Sequence, residues 1–226
     1  MRKLSMLGAA LAFTALFLFG NSASFAAPTS EQNDLLARAA TTAQHMQKDP
    51  AFDRARAMLH NAKGVLIVPS LVKGGFIFGA EGGNGVLMQR NGNGWSAPAF
   101  YTLASASFGF QAGLEQAEVV MLVMSDRALD AIKRSEFKVG AGAGITVVTL
   151  SAGAEAATAP NLSGDIIVWS SATGVYGGLT LNGSVIKARD EWNTAFYGRP
   201  SSVSDILADR VGNPQADRLR QQLAAL

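Results

Sequence analysis

Hydrophobic residues near the start of the chain recur at the three- and four-residue spacing of an amphipathic helix. Between residues 31 and 48 this apolar stripe consists of small or aliphatic side chains, namely Leu35, Leu36, Ala39, Ala43 and Met46. Asp49 and Pro50 then interrupt the pattern. Because aspartate is a favoured N-cap and proline is favoured at the first helical position, a second helix is expected after this break. The pattern therefore predicts two helices between residues 31 and 61.

The second predicted helix has an apolar face formed by Phe52, Ala55 and Leu59, with Arg54 and Arg56 around the rest of its surface. Such a face usually docks on a sheet. The alternative is a helix that lies on a membrane, with its apolar side in the lipid and its arginines beside anionic headgroups. The pattern is compatible with both interpretations.

From Val65 onward the hydrophobic pattern changes to the alternation and short apolar runs that are typical of β-strands. Glycine-rich segments separate these runs and predict turns at residues 73–75, 82–85 and 91–94. The last of them, Asn-Gly-Asn-Gly, is the strongest hairpin signal in the chain. Glycines within the runs, such as Gly79 and Gly109, predict bends or bulges in a strongly curved sheet.

The second half of the chain continues this alternation of strands and short helices. We predict a strand buried on both faces at 117–124, further strands at 138–150, 165–170, 174–181 and 184–188, and helices at 126–134, 189–197, 203–210 and 214–226. No linker-like change of composition divides the chain. The sequence therefore predicts a single α+β domain, in which a strongly curved antiparallel sheet, barrel- or sandwich-like, is flanked by N-terminal, middle and C-terminal helices.

The first 26 residues have the three parts of a secretory signal peptide. Arg2 and Lys3 form a basic start, residues 4–20 are apolar, and Ser24 and Ala26 fit the small positions before a cleavage site at Ala27. The alternative, an uncleaved transmembrane anchor, requires ~20 apolar residues, and this stretch is shorter. We therefore expect an exported protein whose domain spans residues 27–226.

Removal of this segment changes the charge of the protein. The chain has 19 lysines and arginines against 17 aspartates and glutamates, and the loss of Arg2 and Lys3 leaves 17 of each sign. A net charge of zero argues against nucleic-acid binding through the global field, so an anion site would require a local patch. The chain also has no cysteine, which excludes disulfides, thiolate nucleophiles and cysteine-based metal or redox sites.

The residue types that most often carry catalysis are sparse and show no motif. His45 and His60 are the only histidines, and neither has an acid beside it at metal-ligand spacing. Glu115 and Glu118 flank a buried strand, but their spacing places them on opposite faces of an extended segment. Residues 140–144 lack the third glycine and the lysine of a nucleotide-binding loop. The sequence therefore predicts neither an enzyme nor a cofactor.

Basic residues near the predicted turns are the remaining candidates for binding. Together with the preceding helix they could converge at one end of the sheet, as an anion patch of the kind that recognises lipid headgroups. The alternative is an ordinary solvated rim. The residues concerned are Arg54, Arg56, Lys63, Lys73 and Arg90.

Two motifs form a specific combination, namely Trp-Ser-Ala-Pro at residues 95–98 and Gly-Val-Tyr-Gly-Gly-Leu at residues 174–179. In this order, these motifs resemble the SYLF domain, also called the Ysc-type actin-binding domain. The resemblance covers residues 35–226, which is nearly the whole predicted domain. Supporting segments lie at residues 62–67, 73–76, 85–86, 109–113, 169–170, 182–183 and 193–198.

The resemblance implies a lipid-binding domain without catalytic residues. Eukaryotic SYLF proteins bind phosphoinositides and anionic membranes, with an N-terminal amphipathic helix taking part, and some fungal members bind and bundle actin. In an exported, single-domain bacterial member we expect an anionic phospholipid membrane as the partner, in the periplasm or outside the cell. The expected contact residues are Phe52, Arg54, Arg56, Lys63, Lys73 and Arg90.

Two alternatives remain open at this point. The first is a protein-interaction or self-associating module of the envelope, host-directed or not, that contacts its partner through a sheet edge or through glycine-rich loops. The second is a carrier that holds an apolar ligand inside the curved sheet. The pattern predicts no particular lipid headgroup and no particular oligomeric state.

Overall fold

The fold is known from a computed structural model, which describes residues 30–48, 52–75, 78–108, 113–134, 136–139, 147–151, 164–173 and 183–226. The helices in this part of the chain are α1 (Ser30–Lys48), α2 (Asp53–Leu59), α3 (Asp126–Lys133), α4 (Asp190–Tyr197), α5 (Val203–Leu207) and α6 (Asp217–Ala224). A short 3-10 turn, Pro214–Ala216, leads into α6. Helices therefore lie at the start, in the middle and at the end of the described chain, as the pattern predicts.

The strands between these helices form one sheet. They are β1 (Gly64–Gly75), β2 (Phe78–Asn91), β3 (Gly94–Trp95), β4 (Ala99–Phe108), β5 (Gly113–Val123), β6 (Glu136–Lys138), β7 (Val147–Ser151), β8 (Ile166–Thr173) and β9 (Val185–Ala188). Their order is β6-β9-β4-β2-β1-β5-β8-β7, and β3 pairs with β2 alone. The described pairs are antiparallel except for β7 with β8, which is parallel. The predicted fold class, a single α+β domain with a curled antiparallel sheet, is confirmed.

The central strand β1 is covered on both faces. Val65 and Ile67 pack in one apolar cluster with side chains of α1, α2 and α6, whereas Leu66 and Val68 pack in another with side chains of α3 and α5. Successive side chains of a strand point to opposite faces, so a strand that is buried on both sides has an unbroken apolar sequence. The sheet is thus the middle layer between two sets of helices.

One extra residue in β1 produces a β-bulge beside the middle of β2. Between its pairings with Val86 and Gly82, β1 uses one residue more than β2 does. Pro69 lies in this segment, where proline is tolerated because a bulge leaves a residue unpaired. The two backbones approach so closely here that a Cβ atom at Gly83 would lie 2.5 Å from the carbonyl oxygen of Ser70. Glycine is therefore required at position 83.

The structure confirms one predicted glycine turn and corrects two others. Asn91 pairs with Gly94 across a tight hairpin loop, in which Gly92 has a φ of 58°. The turn predicted at residues 73–75 is wrong, because these residues continue β1 and pair with β2. The turn predicted at residues 82–85 is also wrong, because this segment is the middle of β2 and pairs with β4.

Other predicted boundaries agree with the structure to within a few residues. Helix α3 begins at Asp126, as predicted, and its N-cap is Ser125, whose hydroxyl accepts a hydrogen bond from the amide of Ala128 at 3.2 Å. Strand β8 continues to Thr173, three residues beyond the end of the strand predicted at 165–170. Helix α4 ends at Tyr197, the predicted last residue, and Gly198, whose φ is 67°, is its C-cap. The predicted signal peptide, the break at residues 49–50, the glycine-rich residues 140–144 and the strand at 174–181 lie outside the described residues.

Candidate functional site

The apolar face of α2 is buried in the core. Phe52 is only 1% exposed and contacts the indole of Trp169, and Ala55 and Leu59 are equally buried. Of the two interpretations of this face, docking on the sheet is therefore the one that the structure shows. Phe52 faces Trp169 and not solvent, which corrects its assignment as a lipid contact.

The two arginines of α2 have different surroundings. Arg54 is exposed, whereas Arg56 is half-buried. The guanidinium of Arg56 donates hydrogen bonds to the Asp53 carboxylate and to the carbonyl of Met46, near the end of α1. Arg56 thus connects the two N-terminal helices, and Arg54 is the basic side chain that α2 presents to solvent.

Lys63 lies directly before β1, in the short connection between α2 and the sheet. Its amide donates to the carbonyl of Val123 at 2.7 Å, and its own carbonyl accepts from the amide of Arg90 at 2.8 Å. These two bonds fix the Lys63 backbone between β5 and β2. Its side chain remains 49% exposed, with the ammonium 3.8 Å from the carboxylate of Asp126. Lys63 and Arg54 are the exposed predicted contacts at this end of the sheet, which we call the α2 end.

Arg90 reaches the same end but has a structural role. Its guanidinium lies 4.0 Å from the centre of the Trp95 ring and donates to the carbonyl of Leu59, the last residue of α2, at 2.8 Å. It thereby satisfies a carbonyl that the end of a helix leaves unpaired. Desolvation by burial lowers the pKa of Arg90. The guanidinium of Arg90 already contacts Trp95 and Leu59. Arg90 therefore stabilises the docking of α2 on the sheet.

Lys73 is far from the other predicted contacts. It lies on β1, ten residues beyond Lys63 in the sequence. A strand rises about 3.3 Å per residue, so the two residues are roughly 30 Å apart. Its side chain is only 11% exposed, and its ammonium lies 3.3 Å from the carboxylate of Glu81, which is 1% exposed. Lys73 therefore does not share a patch with the other basic residues, because the strand carries it to the opposite end of the sheet.

A polar cluster that was not foreseen joins α1 to β5. The hydroxyl of Thr42 donates to Glu118 Oε1 at 2.9 Å, and His45 Nδ1 lies 3.1 Å from both oxygens of that carboxylate. His45 therefore has a carboxylate partner from a distant part of the chain, which sequence spacing alone does not reveal. Within the described residues, no group of three or more metal-ligating side chains is brought together.

The Trp-Ser-Ala-Pro segment is fixed by residues from the last third of the chain. Arg220 Nε donates to the carbonyl of Trp95 at 2.9 Å, and the amide of Ala97 donates to Asp209 Oδ1 at 2.8 Å. The hydroxyl of Tyr197 donates to the carbonyl of Pro98 at 2.6 Å. Burial and the nearby Asp209 carboxylate both raise the pKa of Tyr197. These three bonds fix the backbone of the motif and give it a structural role.

Asp209 stands out among these partners. It has a φ of 55°, a left-handed conformation that aspartate tolerates better than most residues. Its second oxygen accepts a hydrogen bond from Asn91 Nδ2 at 2.8 Å, so that one carboxylate connects the hairpin at residues 91–94 with the motif. A polar residue in a loop after α5 gives no periodic signal, and for this reason the sequence pattern did not identify it.

None of the helices within the described residues has both the length and the apolar character that a bilayer-crossing segment needs.

Comparison with known proteins gives consistent matches. A family profile described as "Ysc84: Las17-binding protein actin regulator" matches residues 104–226. The SH3 domain-containing YSC84-like protein 1 of Homo sapiens is 31% identical over 169 residues, which are 74% of this chain and 49% of that protein. Protein YSC84 of Saccharomyces cerevisiae is 33% identical over 165 residues, which are 70% of this chain and 35% of that protein. The LAS seventeen-binding protein 3 of the same yeast is 32% identical over 166 residues. The chain thus spans about half the length of the mammalian relative and about a third of the yeast protein.

Proposed function

The chain belongs to the Ysc84, or SYLF, family, and from this premise we propose that it is a non-enzymatic module that binds anionic phospholipid at a membrane surface. The observation that carries the proposal is the α2 end, where Arg54 is exposed and Lys63 is half-exposed on neighbouring elements. The family description names a binding protein and regulator, and the name of one yeast relative also describes a binding protein, which supports a role without catalysis.

Contact through the α2 end would be electrostatic. Because Phe52, Ala55 and Leu59 are buried against the sheet, this helix has no apolar side left to insert into lipid while it stays docked. A basic residue near an anionic membrane contributes about 1 kcal/mol, so Arg54 and Lys63 together would contribute about 2 kcal/mol. Such binding is weak and is strongly screened when the Debye length falls from about 10 Å to about 3 Å at 1 M salt.

The proposed location follows from the predicted signal peptide. An exported protein would meet a membrane surface in the periplasm or outside the cell, and it would bind there as a peripheral protein. The zero net charge calculated without residues 1–26 means that the local arrangement of cations, and not the global field, would orient the protein on the membrane.

Co-sedimentation with vesicles tests this proposal. We expect binding to vesicles that contain phosphatidylglycerol or cardiolipin, loss of binding at high salt, and little binding to pure phosphatidylcholine. The double variant Arg54→Glu, Lys63→Glu should bind much less. A matched variant, Arg218→Glu with Lys138→Glu, reverses two exposed charges on other elements, α6 and β6, and should bind like the unchanged protein. Equal loss in both double variants, or binding that high salt does not weaken, would contradict the proposed site.

A protein-binding role is the second candidate. It is favoured by the description of the family, which names Las17 binding and actin regulation, and by the name of a yeast relative, LAS seventeen-binding protein 3. Within the described residues the sheet ends at β6 and at β7, and these are the strands through which such a partner, or a second copy of the chain, would pair. Absence of vesicle binding together with self-association in light scattering would favour this role over the membrane role.

A further inference from the structure

A cleft of about 680 Å³ opens beside the start of α4, away from the α2 end. Its floor crosses three neighbouring strands, because Asn84 of β2 pairs with Thr102 of β4, and Thr102 pairs with Lys187 of β9. Residues that pair directly across strands lie on the same face of a sheet. Three polar side chains therefore stand in one row on the cleft floor, and Arg189 and Asp190 form part of its wall.

The guanidinium of Arg189 is held in place before any ligand arrives. It lies 3.7 Å from the centre of the Trp192 ring, and the Trp192 ring in turn packs edge-on against the buried ring of Phe100. From the other side, Arg189 donates a hydrogen bond to Asn84 Oδ1 at 3.1 Å, and Thr102 Oγ1 donates to the same oxygen at 2.9 Å. A guanidinium fixed in this way loses little conformational freedom on binding.

The fixed groups leave hydrogen-bond donors available to the cleft. Because Asn84 Oδ1 accepts from a guanidinium, which can only donate, the orientation of the Asn84 amide is determined and its NH₂ group points away from Arg189. Within the described residues, no carboxylate lies within ion-pair distance of Arg189 or Lys187. Arg189, Lys187 and the Asn84 NH₂ group thus provide several donors and two positive charges around one cavity.

The chemistry of these donors selects a class of ligand. The planar edge of a guanidinium matches an anion with two equivalent oxygens, as in a carboxylate or a phosphodiester. Asp190 and Glu191 line the same cleft and are exposed, so that their negative charges disfavour an anion with two charges. We propose that this cleft binds the singly charged, two-oxygen group of a small organic molecule, with Arg189 contacting the oxygens and Lys187 adding a second positive charge. Ala104 and Val185 supply apolar surface for the rest of the molecule.

This proposal does not depend on membrane binding at the α2 end. A carboxylate ligand would make the cleft a site for a free organic acid, whereas a phosphodiester ligand would connect it to a lipid headgroup. Both ligands share the chemistry that the cleft offers, and soluble probes separate them without any vesicle. Failure of the cleft proposal would leave the vesicle experiment unaffected, and the reverse also holds.

The test is a titration of the ¹⁵N-labelled protein followed by NMR. The probes are sodium propionate for the carboxylate, sodium dimethyl phosphate for the phosphodiester and sodium sulfate for a doubly charged anion, each compared with sodium chloride at equal ionic strength. We expect saturable shifts of the Arg189 side-chain N–H and of the Thr102 and Lys187 amides with propionate or dimethyl phosphate, with a Kd in the millimolar range. No saturation beyond the chloride effect up to about 0.1 M probe, or tighter binding of sulfate, would overturn the proposal.

Matched variants locate the site. Arg189→Lys keeps the charge but removes the planar fork, and we expect a loss of affinity of about tenfold or more. Lys187→Gln removes a charge from an exposed position, so it is expected to fold normally and to lose about threefold. Arg218→Gln alters an exposed arginine of α6 and should leave the affinity unchanged. Unchanged affinity in both cleft variants would place the binding elsewhere and would contradict the proposal, even if Arg189→Lys perturbs the packing of Trp192.

Discussion

Two adjacent glycines test the close packing of β1 against β2. Gly82 and Gly83 are neighbours on β2 and therefore point to opposite faces of the sheet. A Cβ atom at Gly82 would meet no atom within 4 Å, whereas a Cβ atom at Gly83 would lie 2.5 Å from the carbonyl oxygen of Ser70 and 2.8 Å from a methyl group of Val68. The variants Gly82→Ala and Gly83→Ala thus add the same methyl group in two different environments.

The expected magnitudes follow from these contacts. Overpacking a well-filled site costs about 1–3 kcal/mol, and the upper end applies at Gly83 because the obstructing atom belongs to the backbone of the bulge. At Gly82 the only effect is the reduced freedom of the unfolded chain, which stabilises by up to about 1 kcal/mol. The two variants should therefore differ by about 3 kcal/mol in the free energy of unfolding. For a domain of this size, this corresponds to roughly 6–12 °C in melting temperature.

Urea unfolding followed by tryptophan fluorescence measures this difference. Trp95 and Trp169 are buried, so their emission should report the loss of the core. The slope of the free energy with urea concentration should be similar in both variants, which would show that the change concerns stability and not the extent of unfolding. A difference below about 1 kcal/mol would refute the argument, since a clash with a fixed carbonyl cannot be that small.

Two further predictions concern buried aromatic rings. Phe52→Ala should lower the free energy of unfolding by about 3–5 kcal/mol in the same assay, because the ring is buried against Trp169. Arg54→Ala, on the exposed side of α2, should change it by less than about 0.5 kcal/mol, and equal effects would contradict the burial of Phe52. Burial raises the pKa values of Tyr101 and Tyr197, so both phenols favour the folded state in their neutral form. This contribution is complete below about pH 10 and is lost as the pH rises from there to the higher pKa values of the folded state. Ultraviolet absorbance should detect both ionisations only at that stage or on unfolding, and ionisation of either near pH 10 in the folded protein would disprove the assignment.

Features that depend on neighbouring residues could be predicted from the sequence. The hairpin at residues 91–94 follows from turn chemistry, because Gly92 adopts a positive φ without steric cost. The apolar stripe of α1 and the unbroken apolar run of β5 follow from periodicity, and both are buried as expected. The helix at residues 190–197 could be located to within one residue for the same reason.

Features that depend on packing between distant segments could not be predicted. Residues 73–75 have the composition of a turn, yet they continue a strand because β2 and β5 pair with them on both sides. The sequence suggests that Arg90 is an exposed cation, but in the folded protein Trp95 and the end of α2 lie beside it. Lys73 meets Glu81 only after β1 and β2 have paired. In each case the structure around the residue is determined by contacts with distant segments of the chain. A short stretch of sequence does not contain these contacts.

The bonds that hold the Trp-Ser-Ala-Pro segment have a consequence for the kinetics of folding. They join groups that are separated by 99 to 125 residues along the chain. Closing loops of this length costs entropy before the contacts compensate it, which makes folding slow. During synthesis at about 5–20 residues per second, residues 95–98 would therefore wait for several seconds until Tyr197, Asp209 and Arg220 have left the ribosome. The domain should acquire its native structure late and in one step, and not progressively from its N-terminal helices.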